Sequence, residues 1–64
     1  GIVEGFKNEN HPKIEIIKND NDNYLFNKIK NIKAIISNNK LETSLRIFKN
    51  DEIDNIVDFI LREF

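Results

Sequence analysis

The sequence has 64 residues, no cysteine and a formal net charge of −1 at pH 7. This length allows one small domain, over residues 1–64, that buries only about 60% of its unfolded surface, so we expect a partner or further chain to stabilise it. The charge argues against strong non-specific nucleic-acid binding by the whole domain, and no apolar run reaches the roughly 18 residues of a membrane span.

The first elements are short. Gly1–Phe6 is an apolar stub flanked by glycines, and it is interpreted as the end of a helix or as a strand. A polar loop, Lys7–Pro12, follows it. Lys13–Lys18 is rich in β-branched residues and places Ile14 and Ile16 on one face, which predicts a strand.

The middle of the chain predicts a helix and then leaves two alternatives. Asn19–Asn23 is a turn cluster in which Asp22 or Asn23 caps a helix that runs to about Ile32. Residues 33–37 either extend that helix or form a strand. We favour the strand, because Asn38-Asn39-Lys40 is a typical hairpin turn and Leu41–Phe48 is a ready antiparallel partner.

The last stretch gives the clearest pattern. Apolar and polar residues alternate from Leu41 to Ile47, which predicts a half-buried strand. A helix with Asn50 as its N-cap then follows, with acidic residues in its first turn and Arg62 in its last. Its apolar residues fall on one helical face: Ile53, Ile56, Val57, Ile60, Leu61 and Phe64. The predicted fold is α+β, a small antiparallel sheet with two helices on one face.

Candidate catalytic and metal-binding residues are few. His11 is the sole histidine and lies in a loop before proline, with no nucleophile motif beside it. Asp20 and Asp22 supply alternating oxygens, but the glycine and the closing glutamate of a calcium loop are absent. Glu52 and its acidic neighbours fit the start of a helix. We therefore expect no catalytic residue, no metal and no cofactor.

The basic residues support a different hypothesis. If the outer face of the sheet presents Lys13, Glu15, Ser44 and Arg46, these side chains would suit a nucleic-acid groove. An ordinary solvated sheet face is the alternative. The predicted contacts to phosphates are Lys13, Lys28, Lys33, Lys40 and Arg46.

Taken in order, these segments resemble the LAGLIDADG homing endonuclease and maturase family, as a degenerate and truncated half-domain. In that family a signature helix precedes strands, a helix, a hairpin and a last helix, and the sheet saddles DNA. Four segments carry the resemblance. Gly1–Lys7 resembles the end of the signature, and Pro12–Ile16 is similar to the second strand. Asp22–Ile32 resembles the middle helix, and Thr43–Phe48 continuing into Lys49–Phe59 resembles the last strand and its helix.

Departures from the family pattern argue against nuclease activity. Phe6 stands where the family has its metal-binding carboxylate, Lys7 replaces the closing glycine, and Glu4 matches the other acidic position. A phenyl ring cannot coordinate a hard divalent cation. The resemblance therefore implies an inactive remnant that binds RNA or DNA, or has an architectural role, in a ribonucleoprotein such as an organellar ribosome.

Two further hypotheses stay open. One is a fragment of an active endonuclease or maturase, completed by other chain. The other is a protein-interaction module without a nucleic-acid role, whose docking stripe is Ile53, Ile56, Ile60 and Phe64. Abundant Asn, Ile and Lys have AT-rich codons, so a mitochondrion or other organelle is the expected location, with another intracellular site as the alternative.

Overall fold

The computed structural model describes residues 1–5, 8–19 and 23–64. These residues form a four-stranded sheet and one helix, which confirms the α+β class in general but not the second predicted helix. The elements are β1 (Ile2–Glu4), β2 (Lys13–Ile16), β3 (Ile32–Ile36), β4 (Arg46–Phe48) and α1 (Ile53–Glu63).

The sheet is mixed rather than antiparallel. Its strand order is β1-β2-β3-β4, and β1 pairs antiparallel with β2. The pairs β2–β3 and β3–β4 are both parallel, with Ile14 opposite Ala34 and Ile35 opposite Ile47. This topology differs from the antiparallel saddle implied by the resemblance to LAGLIDADG proteins.

The predicted hairpin between β3 and β4 is wrong. After β3 the Ser37 N–H donates to the Phe48 carbonyl oxygen (2.8 Å), and the Asn50 N–H donates to the Asn38 side-chain oxygen (2.9 Å). These bonds hold the carboxyl ends of β3 and β4 side by side. Residues 37–45 therefore return along the sheet to its other end before β4 begins. A return of this kind is what parallel pairing requires.

The predicted middle helix is also wrong. The Lys28 and Ile29 N–H groups both donate to the Leu25 carbonyl oxygen (2.9 Å each), which makes a single turn. Asn31 then adopts a left-handed φ of 64°, and such a residue ends a run of helical geometry. The Leu25 N–H donates to the Glu15 carboxylate (2.8 Å), which anchors this turn to the sheet. Asp22, one of the two residues predicted to cap this helix, lies outside the described residues.

The C-terminal helix is confirmed, with a different start. Its N-cap is Glu52 rather than Asn50, whose N–H is bonded to Asn38. The Glu52 carboxylate accepts the Lys49 N–H (2.7 Å), and the Glu52 N–H donates to the Lys49 carbonyl oxygen (3.1 Å). The first bond joins a side chain to the backbone and the second is a backbone turn bond, and together they close the turn before α1.

The core lies between α1 and one face of the sheet. Ile14, Ala34 and Phe48 are buried there, and Ile56 and Phe59 of the helix pack against them. The Phe48 and Phe59 rings meet edge to face, 5.4 Å between centroids, an arrangement that aromatic pairs favour. The opposite face is also covered, because Glu15 and Ile35 are fully buried.

Candidate docking surface

The apolar residues of α1 divide between two faces of the helix. Ile56 and Phe59 point to the sheet and are half-buried. The others stay in solvent, and no residue of the helix is fully buried. Their exposed fractions are 59% for Ile53, 47% for Val57, 38% for Ile60, 76% for Leu61 and 48% for Phe64. We call these five residues the outer face of α1.

The spacing of the outer face is regular. Ile53, Val57, Ile60 and Phe64 follow one another at intervals of four, three and four residues, and Leu61 lies beside them. Intervals of this kind place side chains in one stripe along a helix, and the same spacing forms the seam between packed helices. The outer face therefore has the geometry of a helix-packing surface that the described chain covers only in part.

Acidic residues surround this stripe. Asp54 and Asp58 each follow an outer-face residue, Ile53 and Val57, and both are exposed. Residues 51–64 contain one basic residue, Arg62, and five acidic ones: Asp51, Glu52, Asp54, Asp58 and Glu63. The apolar stripe thus lies on a segment in which acidic residues outnumber basic ones, with Asp54 and Asp58 next to it.

The C-terminal end of the stripe is anchored to the sheet. Phe64 lines a small cavity of about 150 Å³ with Gly5, His11 and Pro12. Gly5 has a φ of 82°, and a Cβ added there would lie 2.7 Å from the Phe64 ring. The glycine therefore allows the Phe64 ring to lie against the backbone just after β1.

Three of the four predicted interface residues lie on this surface. Ile53, Ile60 and Phe64 are exposed, whereas Ile56 packs on the sheet core and is corrected to a core residue. The prediction left out Val57 and Leu61 as interface residues. Their helical spacing was visible, but periodicity alone does not tell which part of a broad apolar arc meets the sheet.

Lys13 does not fit its predicted contact with phosphate. Its side chain is fully buried. The ammonium group donates to the carbonyl oxygens of Glu9, His11 and Lys30, at 2.8–2.9 Å. A lysine held in this way ties the loop before β2 to the residues before β3, so its role is structural.

The other predicted cations are exposed but come from separate elements. Lys28 lies in the turn after Leu25, Lys33 in β3 and Lys40 in the connection to β4. Arg46 lies in β4, with its guanidinium 4.4 Å from the centre of the Phe48 ring, on the sheet face that α1 covers. With Lys13 and Glu15 buried, the expected open polar sheet face is not formed.

The pKa of Glu52 lies below its ordinary value. The main cause is the hydrogen bond from the Lys49 N–H, and the Asn55 side chain adds a second bond (3.1 Å). Burial opposes these bonds by raising the pKa, and the positive charges of Arg46 and Lys49 lower the pKa by smaller amounts. The Glu52 carboxylate thus joins the turn after β4 to the first turn of α1 through its bonds from Lys49 and Asn55.

Metal ligands do not gather in the described part of the chain, where no group of three or more His, Asp or Glu residues could hold an ion. Glu4 is exposed at the end of β1. Phe6 and Lys7 of the signature comparison, and Asp20 and Asp22 of the calcium-loop comparison, lie outside the described residues. Within those residues, no helix is long and apolar enough to cross a membrane.

Comparisons with known proteins find no relative of this chain. No family model matches the chain, and neither a curated protein nor a solved structure is similar to it.

Proposed function

We propose that this chain is a protein-interaction module, in which the outer face of α1 docks a basic amphipathic helix of a partner protein. The observation that carries the proposal is the exposure of five large apolar side chains in one stripe, by 38–76% of their surface. Contiguous exposed apolar patches of this kind mark interaction sites.

Burial of the stripe supplies the driving force. Fully burying one side chain of this class contributes about 1.5–3 kcal/mol, and docking gains the part of this that the 38–76% exposed fractions leave. Several such side chains along a helix are the usual anchors of helix-in-groove recognition. Ile56 and Phe59 already hold α1 on the sheet, so docking needs no rearrangement of the fold.

The charges around the stripe select the partner. Five acidic residues against one basic residue in positions 51–64 favour a partner that carries Lys or Arg beside its apolar residues. Two copies of α1 would bring like charges together, which disfavours self-pairing through this surface.

RNA or DNA binding is a second candidate, supported by the exposure of four of the five predicted cations: Lys28, Lys33, Lys40 and Arg46. These residues would act through phosphates, and the binding would weaken steeply with salt. This candidate ranks second because the cations come from four separate elements and Arg46 lies close to the Glu52 carboxylate.

Two synthetic peptides of about 18 residues test the first proposal by isothermal titration. Both carry a leucine stripe, flanked in one by lysines and in the other by glutamates. We expect the lysine peptide to bind about tenfold more tightly, a difference of about 1.4 kcal/mol. No binding of the lysine peptide, or equal binding of the two, would overturn the proposal.

Matched variants separate the two candidates. Val57→Gln with Leu61→Gln should abolish peptide binding without affecting binding to a single-stranded oligonucleotide. Lys28→Gln with Lys33→Gln should leave peptide binding intact and, if the second candidate is right, reduce the salt dependence of oligonucleotide binding. A chain that forms dimers until the outer face is substituted would show instead that a second copy covers the stripe.

A further inference from the structure

A separate cleft opens at the carboxyl ends of the parallel strands β3 and β4. Its volume is about 490 Å³, within the range of small-ligand pockets. Residues 37–41, which leave β3, form one wall, and Ile47, Lys49 and Glu52 form the other. Ligands of open sheets with parallel strands bind outside the carboxyl ends of those strands.

Hydrogen bonds fix the walls of this cleft. The Ser37 hydroxyl accepts the Asn39 N–H (3.0 Å), and the Asn38 side chain accepts the Asn50 N–H (2.9 Å) from the opposite wall. Ser37 is itself buried and bonded to Phe48 through its own N–H. The backbone of both walls is therefore fixed before any ligand arrives, which lowers the entropy cost of binding, and the Asn39 side chain alone has to rotate to meet the ligand.

The groups that line the cleft point to an oxyanion. Lys40 and Lys49 bring two positive charges to it. The side-chain N–H₂ of Asn39 is buried and, among the described residues, has no hydrogen-bond partner. A buried donor without an acceptor is costly, and rotation of the Asn39 amide into the cleft would let an oxyanion satisfy it. The one carboxylate in the lining, Glu52, already accepts bonds from Lys49 and Asn55.

The cleft also has an apolar part. Leu41 and Ile47 are half-buried and line it together with the two lysines. A ligand that carried only a charge would leave these side chains uncovered. A ring or short apolar body attached to the charged group would bury them and gain binding free energy.

From this arrangement we propose that the cleft binds a small phosphomonoester with an apolar or aromatic body. Lys40 and Lys49 neutralise the phosphate, Asn39 donates to one of its oxygens, and Leu41 and Ile47 contact the body. The site does not depend on the outer face of α1, and it serves binding without a chemical step.

The test is a titration of the ¹⁵N-labelled chain with inorganic phosphate, phenyl phosphate and an oligonucleotide of about ten nucleotides. We expect phenyl phosphate to shift the amide signals of residues 38–41 and 49, and to bind more tightly than inorganic phosphate. If the oligonucleotide shifted the same signals and bound more tightly than phenyl phosphate, the natural ligand of the cleft would be the phosphate of a nucleic acid. That result would overturn the proposal of a small ligand.

Substitutions complete the experiment. Lys40→Gln with Lys49→Gln should weaken phenyl phosphate binding by about tenfold or more, the value of a charge-assisted hydrogen bond. Asn39→Asp, which keeps the size but adds a negative charge, should weaken it similarly. Lys28→Gln with Lys33→Gln is the control, with unchanged binding. Absence of saturable shifts, or equal losses in the test and control variants, would overturn the proposal.

Discussion

The division of α1 into a packed face and an outer face predicts a small loss of stability for one substitution on this helix and a large loss for another. Leu61 is 76% exposed, so only about a quarter of the roughly 2 kcal/mol of a buried leucine is at stake, and Leu61→Gln should cost at most about 0.5 kcal/mol. Phe59 packs against Phe48 with 5.4 Å between ring centroids. Phe59→Ala removes that contact and leaves a cavity, which should cost about 2–3 kcal/mol.

Urea denaturation followed by circular dichroism measures both changes in the free energy of unfolding. The midpoint should fall clearly for Phe59→Ala and hardly at all for Leu61→Gln, with similar slopes. Val57→Gln, at a second position of the outer face, is the matched control and should also have a small effect. If Leu61→Gln destabilised the chain as much as Phe59→Ala, the helix would pack through the opposite face and the reasoning would fail.

Three further predictions concern single residues. Lys13→Met should lower the free energy of unfolding by about 2–4 kcal/mol, because three carbonyl oxygens lose their buried donor; an unchanged urea midpoint would contradict this. Gly5→Ala should cost about 1–3 kcal/mol, because its φ is 82° and the new methyl would meet Phe64; calorimetry measures the drop in melting temperature, and no drop would count against the contact. Because the pKa of folded Glu52 lies below its ordinary value of 4.5, its stabilising contribution is full above that pH and is lost as the pH falls through the folded pKa. Glu52→Gln should therefore flatten the pH dependence of stability below pH 4.5, and a parallel curve for the variant would refute the role of the cap.

The elements that sequence reasoning found are those fixed by local pattern. The 3.6-residue period of positions 53–64 predicted α1, and the β-branched run at 13–16 predicted β2. Both patterns act over a few residues, where propensity and amphipathicity decide the backbone.

The elements that it missed depend on bonds between distant residues. The bond from Asn50 to Asn38, across 12 positions, aligns the ends of β3 and β4. The local Asn-Asn-Lys stretch that predicts a hairpin turn does not reveal this bond. The bond from Leu25 to Glu15, across ten positions, holds a single turn where propensity favoured a helix. Tertiary contacts overrode local preference in both places.

The candidate sites show the same limit. The apolar stripe of α1 was visible in the sequence, but the side that meets the sheet was not, so Ile56 was assigned to the interface and Leu61 was left out of it. The burial of Lys13 depends on three carbonyl groups from two loops, which no alternation pattern reveals. The cleft with Lys40 and Lys49 arises only because β3 and β4 are parallel.

The central claim is that the outer face of α1 is a docking surface for a basic amphipathic helix. Amide chemical-shift mapping of the ¹⁵N-labelled chain during titration with the lysine-flanked peptide tests it most directly. The account predicts saturable shifts concentrated on residues 53–64, with the largest near Val57 and Leu61. Shifts confined to the cleft between β3 and β4, or no shifts at saturating peptide, would contradict it.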